Sequence, residues 1–578
     1  MDIYAGTILI SLVVYIAVGN YAGRRVKHLE DYFVAGRRAP TLLIVGTLVA
    51  SVMSSTAFMG ETGFVYAGQG GAYLLWPGIA ATFYVWGVLL FGRYLRRSRA
   101  ITVAAYFGER FASRRVQVAA GVTIILGLGG YLLVVTQGAA TLLTQVLPVS
   151  YTQALIICWA STTGFTLYAG TQGVIITDTL MFLLFTFVAV FALVFLVGEV
   201  GGLAEAVTQL STLADKPGLM SWTGVVGDDA AFGSGLEFAL WNVTLALAWG
   251  MVYAVSPWQS SRYLVARDEH VAIRAGCIAA VCVTFLEVVL YFGGTAINLW
   301  DSTIEPSHLV MIYAAREVLP PLLGALLLAG IMAAALSSAS TFLSLVGFSV
   351  SNDLFDHSRV DEQRMLRWSR VSILGVGLVA LAIAFQAPVD IFWLTYFVGT
   401  VFASSWGPVA LMSVWSQRIT ADAAFWGIIS GFVFNVAPKG LETLGWITLP
   451  FWLDPILLGA AVSLVVVLVI SRKTQPSRAE HAYRLRLHRT PASEHDPART
   501  RTTRRIPFLL PIYSLGLCGI FAAYYVRPYR EATGLSGTPE LVLLIVGATL
   551  WTVTGVAAWW VIRKSYHEAV GKRGNTTP

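Results

Sequence analysis

Charge is what this 578-residue chain has least of. Asp, Glu, Lys and Arg together make up 12% of it, about half of what a soluble domain carries. It also lacks a long hydrophilic stretch, which excludes an appended kinase or nucleotide-binding module, and it has no Gly-rich phosphate loop followed by the required Lys. Cysteine is scarce. Cys158, Cys277, Cys282 and Cys518 fall in apolar segments without metal-ligand spacing and read as buried thiols. No His-rich metal pattern and no nucleophile–base set occurs in the apolar segments, so no enzyme is expected. No secretory cleavage pattern is evident: Asp2 precedes the first apolar run and basic residues follow it, as for a retained helix.

What is abundant is apolar sequence, 56% of the chain, in repeated runs of about 20 residues that match a bilayer core. A spanning chain must satisfy its own backbone. Continuous rather than alternating runs select helices over a barrel. Fifteen transmembrane helices are expected, near 3–23, 40–67, 71–96, 117–146, 150–168, 172–199, 236–263, 271–300, 319–345, 366–386, 388–416, 421–438, 451–471, 506–526 and 539–562. The fold class is an all-α polytopic membrane protein.

The net charge of +7 does not point to nucleic acid, because the bases sit beside helix ends. Arg24, Arg25, Lys27, Arg37 and Arg38 follow the first helix, and Arg96, Arg97, Arg99, Arg110, Arg114 and Arg115 follow the third. The 199–236 loop, on the other side, carries Glu199, Glu205, Asp215, Asp228 and Asp229 against the single base Lys216. The positive-inside rule then predicts an external N-terminus and a cytoplasmic C-terminus in a plasma (inner) membrane. Residues 1–471 form the transmembrane domain. Residues 472–505, with ten Lys or Arg, read as a mobile basic cytoplasmic linker near anionic lipid or as a docking site, with amphipathic character around Tyr483–Leu487. Residues 506–578 add two helices and a tail that includes Arg563, Lys564, Lys572 and Arg573. No protein partner is identifiable.

Two apolar runs gather small and hydroxyl residues. The first reads Ala50, Ser51, Val52, Met53, Ser54, Ser55, Thr56, then Gly60 and Gly63. Such a stretch serves either close helix packing or a helix broken at the midplane, where freed carbonyls meet an ion or solute. In the second, Ala334, Ser337 and Ser338 share a face by their i, i+3, i+4 spacing. Neutral oxygens with few carboxylates suit a monovalent hard cation, extending the oxygen preference of Ca²⁺ and Mg²⁺.

Several stretches in order resemble the sodium:solute symporter family over roughly residues 1–470: Asp31 to Arg37, Ala50 to Gly60, Thr102 to Phe111, Gly173 to Asp178, Ala334 to Ser338 with Asp353 beyond, Trp406 to Pro408, and Ala424 to Gly427. The resemblance implies a LeuT-type core of two inverted five-helix repeats, near 40–199 and 236–416, with flanking helices. It also implies alternating access around a midplane site and Na⁺-coupled uptake of a small organic solute such as an amino acid or monocarboxylate. Carried over by position, Na⁺ would meet the carbonyls of Ala50, Met53 and Ala334 and the hydroxyls of Ser337 and Ser338. Asp178 would lie on the ion's route and Arg37 near the inner gate. As bare residues, Asp178 reads equally as a helix-start cap and Arg37 as a membrane-side anchor. Trp249, Tyr253 and Pro257, followed by Arg262, resemble the proline symporters. Together with Ser54 they would contact the solute, although aromatic packing at a proline kink is the plainer reading. Those symporters carry an acid where this chain has Val52. Glu61, two turns further on, and Glu287 are acids inside predicted spans and are functional candidates by default. Glu61 lines an outer vestibule or, if buried, couples protons. A proton-coupled carrier and a transporter-like solute sensor are the alternative functions.

Overall fold

The computed structural model describes residues 2–73, 76–355, 361–385 and 391–571. Among these it is helical, with no strand beyond a single parallel bridge between Ala39 and Ala266. Thirteen helices are long and apolar enough to cross a membrane. They account for the fifteen expected spans once two details are read from the backbone. The expected helices at 150–168 and 172–199 run together as one 49-residue helix, Tyr151–Glu199, bent at Gly170 (φ 50°, ψ −143°). The second span is interrupted: Thr41–Ala50 is helical, residues 51–54 are not, and the chain resumes as a π-helical turn over Thr56–Glu61. The expected start of the span at 388 and the tail residues Lys572 and Arg573 lie outside the described residues.

Burial sorts the helices into centre and periphery. In Pro321–Asp353, 83% of the most apolar window is buried, against 22% in Glu362–Ala384 and 33% in Thr538–Tyr566. A helix that is apolar all round and buried is a core helix. The peripheral ones turn Val371, Leu378, Val379 and Ile383, or Val542, Ile545, Val546 and Val553, outward, as lipid contact demands. Small residues bring the central helices close. A Cβ on Gly46 would lie 2.5 Å from Thr179 Oγ1, and one on Gly330 would lie 2.7 Å from Val188. The helix Thr41–Ala50 is therefore pressed against Tyr151–Glu199 at the level of Asp178.

One end of the molecule collects the basic connections. Arg37 is buried there. Its guanidinium donates to Glu30 (2.7 Å) and to the carbonyls of Leu264 (3.2 Å), Arg99 (2.7 Å) and Ala100 (3.0 Å), fastening three segments. An exposed anchor would hold none of these carbonyls.

The tract at 472–505, expected to be a mobile linker, is instead helical over Arg478–His488 and Pro497–Arg505 and is bonded to this end. Arg97 donates to the Leu487 carbonyl and Arg110 to the Glu480 carbonyl. Glu494 Oε2 accepts from the Glu269 amide, and His270 contacts the Glu494 carbonyl at 2.9 Å. Ion pairs lie at this contact: Arg499 of the tract pairs with Asp268 at 3.2 Å, and beside it Arg97 pairs with Glu269 at 2.6 Å, both nearly fully buried. Burial, reinforced by the neighbouring Glu269 and Asp268 carboxylates, pushes Glu494 up to about 7. The last two spans pack against the third span and the 212–224 segment through Trp551 with the Gly78 carbonyl (2.5 Å) and Tyr525 with the Met220 carbonyl (2.6 Å).

Candidate functional site

The break at 51–54 follows from its residues. Ser51, Ser54 and Ser55 are weak helix formers, because Ser hydroxyls compete for backbone groups. Ser54 Oγ accepts from the Thr56 amide at 3.0 Å, and Ser51 Oγ donates to the Leu48 carbonyl at 3.2 Å. The Met53 amide reaches back to the Val49 carbonyl (2.9 Å). Among the described residues, neither the Ala50 nor the Met53 carbonyl accepts a backbone hydrogen bond that crosses the break. Buried carbonyls without partners are costly, so these two oxygens are available to a ligand.

Facing the break is the continuous helix Pro321–Phe348, where Ala334, Ser337 and Ser338 are all fully buried. Ser338 Oγ donates to the Ser51 carbonyl at 3.3 Å, which ties this helix directly to the break. Ser337 Oγ donates to Asp178 Oδ1 at 2.7 Å, and Thr47 Oγ1 donates to Oδ2 at 2.5 Å. Arg262 completes the cluster: its Nη2 lies 3.5 Å from Asp178 Oδ2 and also donates to Thr341 Oγ1. Asp178 is not a helix cap. It lies well inside Tyr151–Glu199, fully buried, and joins three other helices. The five residues carried over for the ion thus sit on two elements that meet, with Asp178 beside them.

The solute residues divide. Trp249 and Tyr253 are neighbours, with ring centroids 5.9 Å apart, and Tyr253 stacks on Tyr84 at 4.6 Å. A Cβ on Gly399 would lie 3.1 Å from the Trp249 ring. Ser54 lies in the break, and the Tyr131 hydroxyl is within reach of Ser54 and Thr56. Pro257 does not share the Trp249–Tyr253 face. The helix Gly235–Val255 ends before it, Ser256 is extended (ψ 149°), and a new helix runs over Pro257–Val265. The i+4 register is lost across that turn. Pro257 lines a separate cavity of about 20 Å³ with Phe33, Thr102, Arg262 and Phe348. Glu61 accepts from the Tyr291 hydroxyl at 2.6 Å.

Sequence reasoning missed four contributors: Thr47, Gln259, Tyr131 and Thr395. Gln259 donates to Ser51 Oγ (3.1 Å) and is in turn bonded by Tyr84. Thr395 Oγ1 lies 2.9 Å from Thr56 Oγ1. A polar residue inside an apolar span was the available signal for Gln259. Nothing in spacing singled out Tyr131.

In fold the chain is of the LeuT type, an all-helical membrane protein whose broken span meets a hydroxyl-bearing helix in a buried polar centre. A model of the sodium:solute symporter family matches residues 32–431, and the chain belongs to that family. It is therefore a secondary active transporter with Na⁺ as the coupling ion, and not an enzyme. The sodium/proline symporters of Salmonella typhimurium and Escherichia coli (strain K12) are each 27% identical to it, over 76% of this chain and 89% and 88% of their own. A sodium/pantothenate symporter of Escherichia coli (strain K12) is 26% identical over 80% of this chain and 94% of its own. In fold, the chain is similar to a substrate-bound, outward-open Na⁺-coupled sialic acid symporter (TM-score 0.69, 18% identity, 83% of this chain and 99% of that one).

Proposed function

We propose that the coupling Na⁺ binds between the break of the second span and the Pro321–Phe348 helix. Its ligands are the carbonyls of Ala50, Met53 and Ala334 and the hydroxyls of Ser337 and Ser338. The observation that carries this reading is the pair of buried, unbonded carbonyls of Ala50 and Met53 beside a helix whose Ser338 already reaches Ser51. A hydroxyl has one proton and two lone pairs. Ser337 spends its proton on Asp178 and Ser338 spends its own on the Ser51 carbonyl, which leaves lone pairs for a cation. An ion here bridges two elements that rock apart in alternating access, so the ion's binding energy favours one arrangement of the two. Asp178, held by Thr47, Ser337 and Arg262, orients the Ser337 hydroxyl and stands on the ion's route. Arg37 closes the basic end, which we assign to the cytoplasm of a plasma membrane by the positive-inside rule. Both termini follow from that assignment, the N-terminus outside and the C-terminus inside.

The solute is a small organic acid or amino acid held by Ser54, Trp249 and Tyr253, with Tyr131 beside them. The relatives named for proline and for pantothenate both take carboxylate-bearing solutes. Val52 removes the acid that proline symporters carry in the break, so a solute other than proline fits this chain as well as proline does. The test is radiolabelled uptake of proline, pantothenate and other small carboxylates by reconstituted vesicles, with an inward Na⁺ gradient or with K⁺ in its place. Accumulation of at least one solute that requires the Na⁺ gradient and falls in Trp249→Ala is expected. Binding of a solute without accumulation would make the protein a sensor, and pH-driven uptake indifferent to Na⁺ would remove the Na⁺ site.

A further inference from the structure

Two acids lie at membrane depth beside the solute face, outside the Na⁺ site. Glu61 is on the half of the second span beyond the break, and Glu287 is on the helix Glu269–Ala296. The helices touch there: a Cβ on Gly294 would lie 2.9 Å from the Thr62 carbonyl. Tyr291, one turn beyond Glu287, donates to Glu61 Oε2 at 2.6 Å, and Tyr253 donates to Glu287 Oε1 at 3.3 Å. Each tyrosine thus reaches one carboxyl, and the two acids stand on helices that touch. The remaining titratable groups that face the pair are also tyrosines: Tyr84, stacked on Tyr253, with Tyr131 near Glu61 and Tyr513 near Glu287. Among the described residues, neither acid forms an ion pair with a Lys, Arg or His.

The two acids differ in access. Glu61 is partly exposed. Glu287 is 1% exposed, and its Oε2 has neither a hydrogen-bond partner nor surface of its own. A carboxylate without a counter-charge at this depth is strongly disfavoured. Something positive must compensate. At Glu287 Oε2 there is no room for a hydrated ion or an ammonium group, so the cation that fits is a proton.

We propose that Glu61 and Glu287 form a proton-binding site, distinct from the Na⁺ site, that exchanges its proton with water through Glu61 as the transporter opens. The step is a simple ionisation: when opening admits water past Glu61, the Glu287 carboxylic acid gives H⁺ to that water and is left as a hydrated carboxylate, and reloading reverses the path. Tyr253 links this site to the solute. Its hydroxyl serves Glu287 while its ring lies against Trp249, so a solute that shifts Tyr253 also changes how firmly Glu287 holds its proton.

The inference goes beyond Na⁺ coupling and does not rest on it. Its test uses the full chain in vesicles, in Na⁺-free choline medium, with the proton as the probe. Infrared spectra at pH 7 are expected to show the C=O band of a protonated carboxylic acid, moved by D₂O and lost in Glu287→Gln. Glu61→Gln is expected to shift that band without abolishing it, and it keeps the test open if Glu287→Gln fails to fold. On a solid-supported membrane, a pH step is expected to give a transient charge displacement in the wild type that falls at least fivefold in Glu61→Gln. Absence of the band at pH 7, or a band unchanged in both variants, overturns the site. A band without any displacement current overturns the exchange and leaves a static structural proton. Compensation instead by an amine-bearing solute would appear as a pair that is ionised, with no band, until such a solute is added.

Discussion

Replacing Ser337 by Ala separates a Na⁺ ligand from a packing residue. Ser337 Oγ is fully buried and donates to Asp178 Oδ1 at 2.7 Å, so the variant loses two things at once. The first is a hydrogen bond to a charged group, about 1.5–3 kcal/mol of stability in any medium. The second is one oxygen of the ion's shell. Taking that loss as comparable in size, at 1.4 kcal/mol per tenfold, Na⁺ affinity weakens about 10- to 150-fold. The two effects part in a thermal-unfolding series of purified protein in rising NaCl against choline chloride. A ligand at about 100 times its Kd stabilises the folded state by about 2.7 kcal/mol. The same NaCl concentration gives the variant only about 0.3–1.4 kcal/mol. The lower Tm in choline reports the lost Asp178 contact, and the reduced Na⁺-dependent increment reports the lost ligand. Ser338→Ala is expected to lose a similar increment. Ser344→Ala, on the same helix, deletes a hydroxyl that only back-bonds to the Ser340 carbonyl at 2.8 Å and should keep the wild-type increment. If all three variants keep it, the hydroxyls at 337 and 338 pack helices and the site lies elsewhere.

Two further outcomes follow from parts of the fold away from the ion. Burial beside Glu269 and Asp268 pushes Glu494 up from an ordinary 4.5 to about 7. Its contribution to docking of the 478–505 tract is therefore full below about pH 4.5 and is lost as pH rises through 7. Hydrogen–deuterium exchange of that tract should match between wild type and Glu494→Gln at pH 5, with the variant better protected at pH 8; equal exchange at pH 8 would refute this. Gly170 holds a conformation, φ 50° and ψ −143°, that only glycine adopts readily, and a Cβ there would lie 2.6 Å from the Tyr32 carbonyl. Gly170→Ala should cost at least about 1–3 kcal/mol in thermal unfolding, whereas Gly164→Ala, with open space around it, should cost little or nothing.

The parts of this protein that were legible in its sequence are those that depend on local chemistry. Runs of about 20 apolar residues dictate spanning helices because lipid offers the backbone no partners. The interruption at 51–54 could be anticipated because Ser51, Ser54 and Ser55 cluster hydroxyls that compete with the helix for backbone groups. What was not legible depends on how helices distant in sequence come together. Asp178 reads as a cap when only its flanking residues are seen. Its role changes because Gly46 lets Thr41–Ala50 approach Thr179 so closely that Thr47 reaches the carboxylate, while Ser337 and Arg262 arrive from helices 159 and 84 residues further along the chain. The basic tract at 472–505 failed for a related reason. Counted along the sequence, ten basic residues in a polar tract read as a mobile linker near anionic lipid. In space, Glu480 and Glu494 accept from the Ala421 and Glu269 amides and Arg499 pairs with Asp268, contacts with distant helices that no count of charge along the chain reveals. Pro257 marks the limit of periodicity itself. A spacing of four places residues on one face only while the helix continues, and the proline that completes the Trp249–Tyr253–Pro257 pattern also ends the helix that would have aligned it.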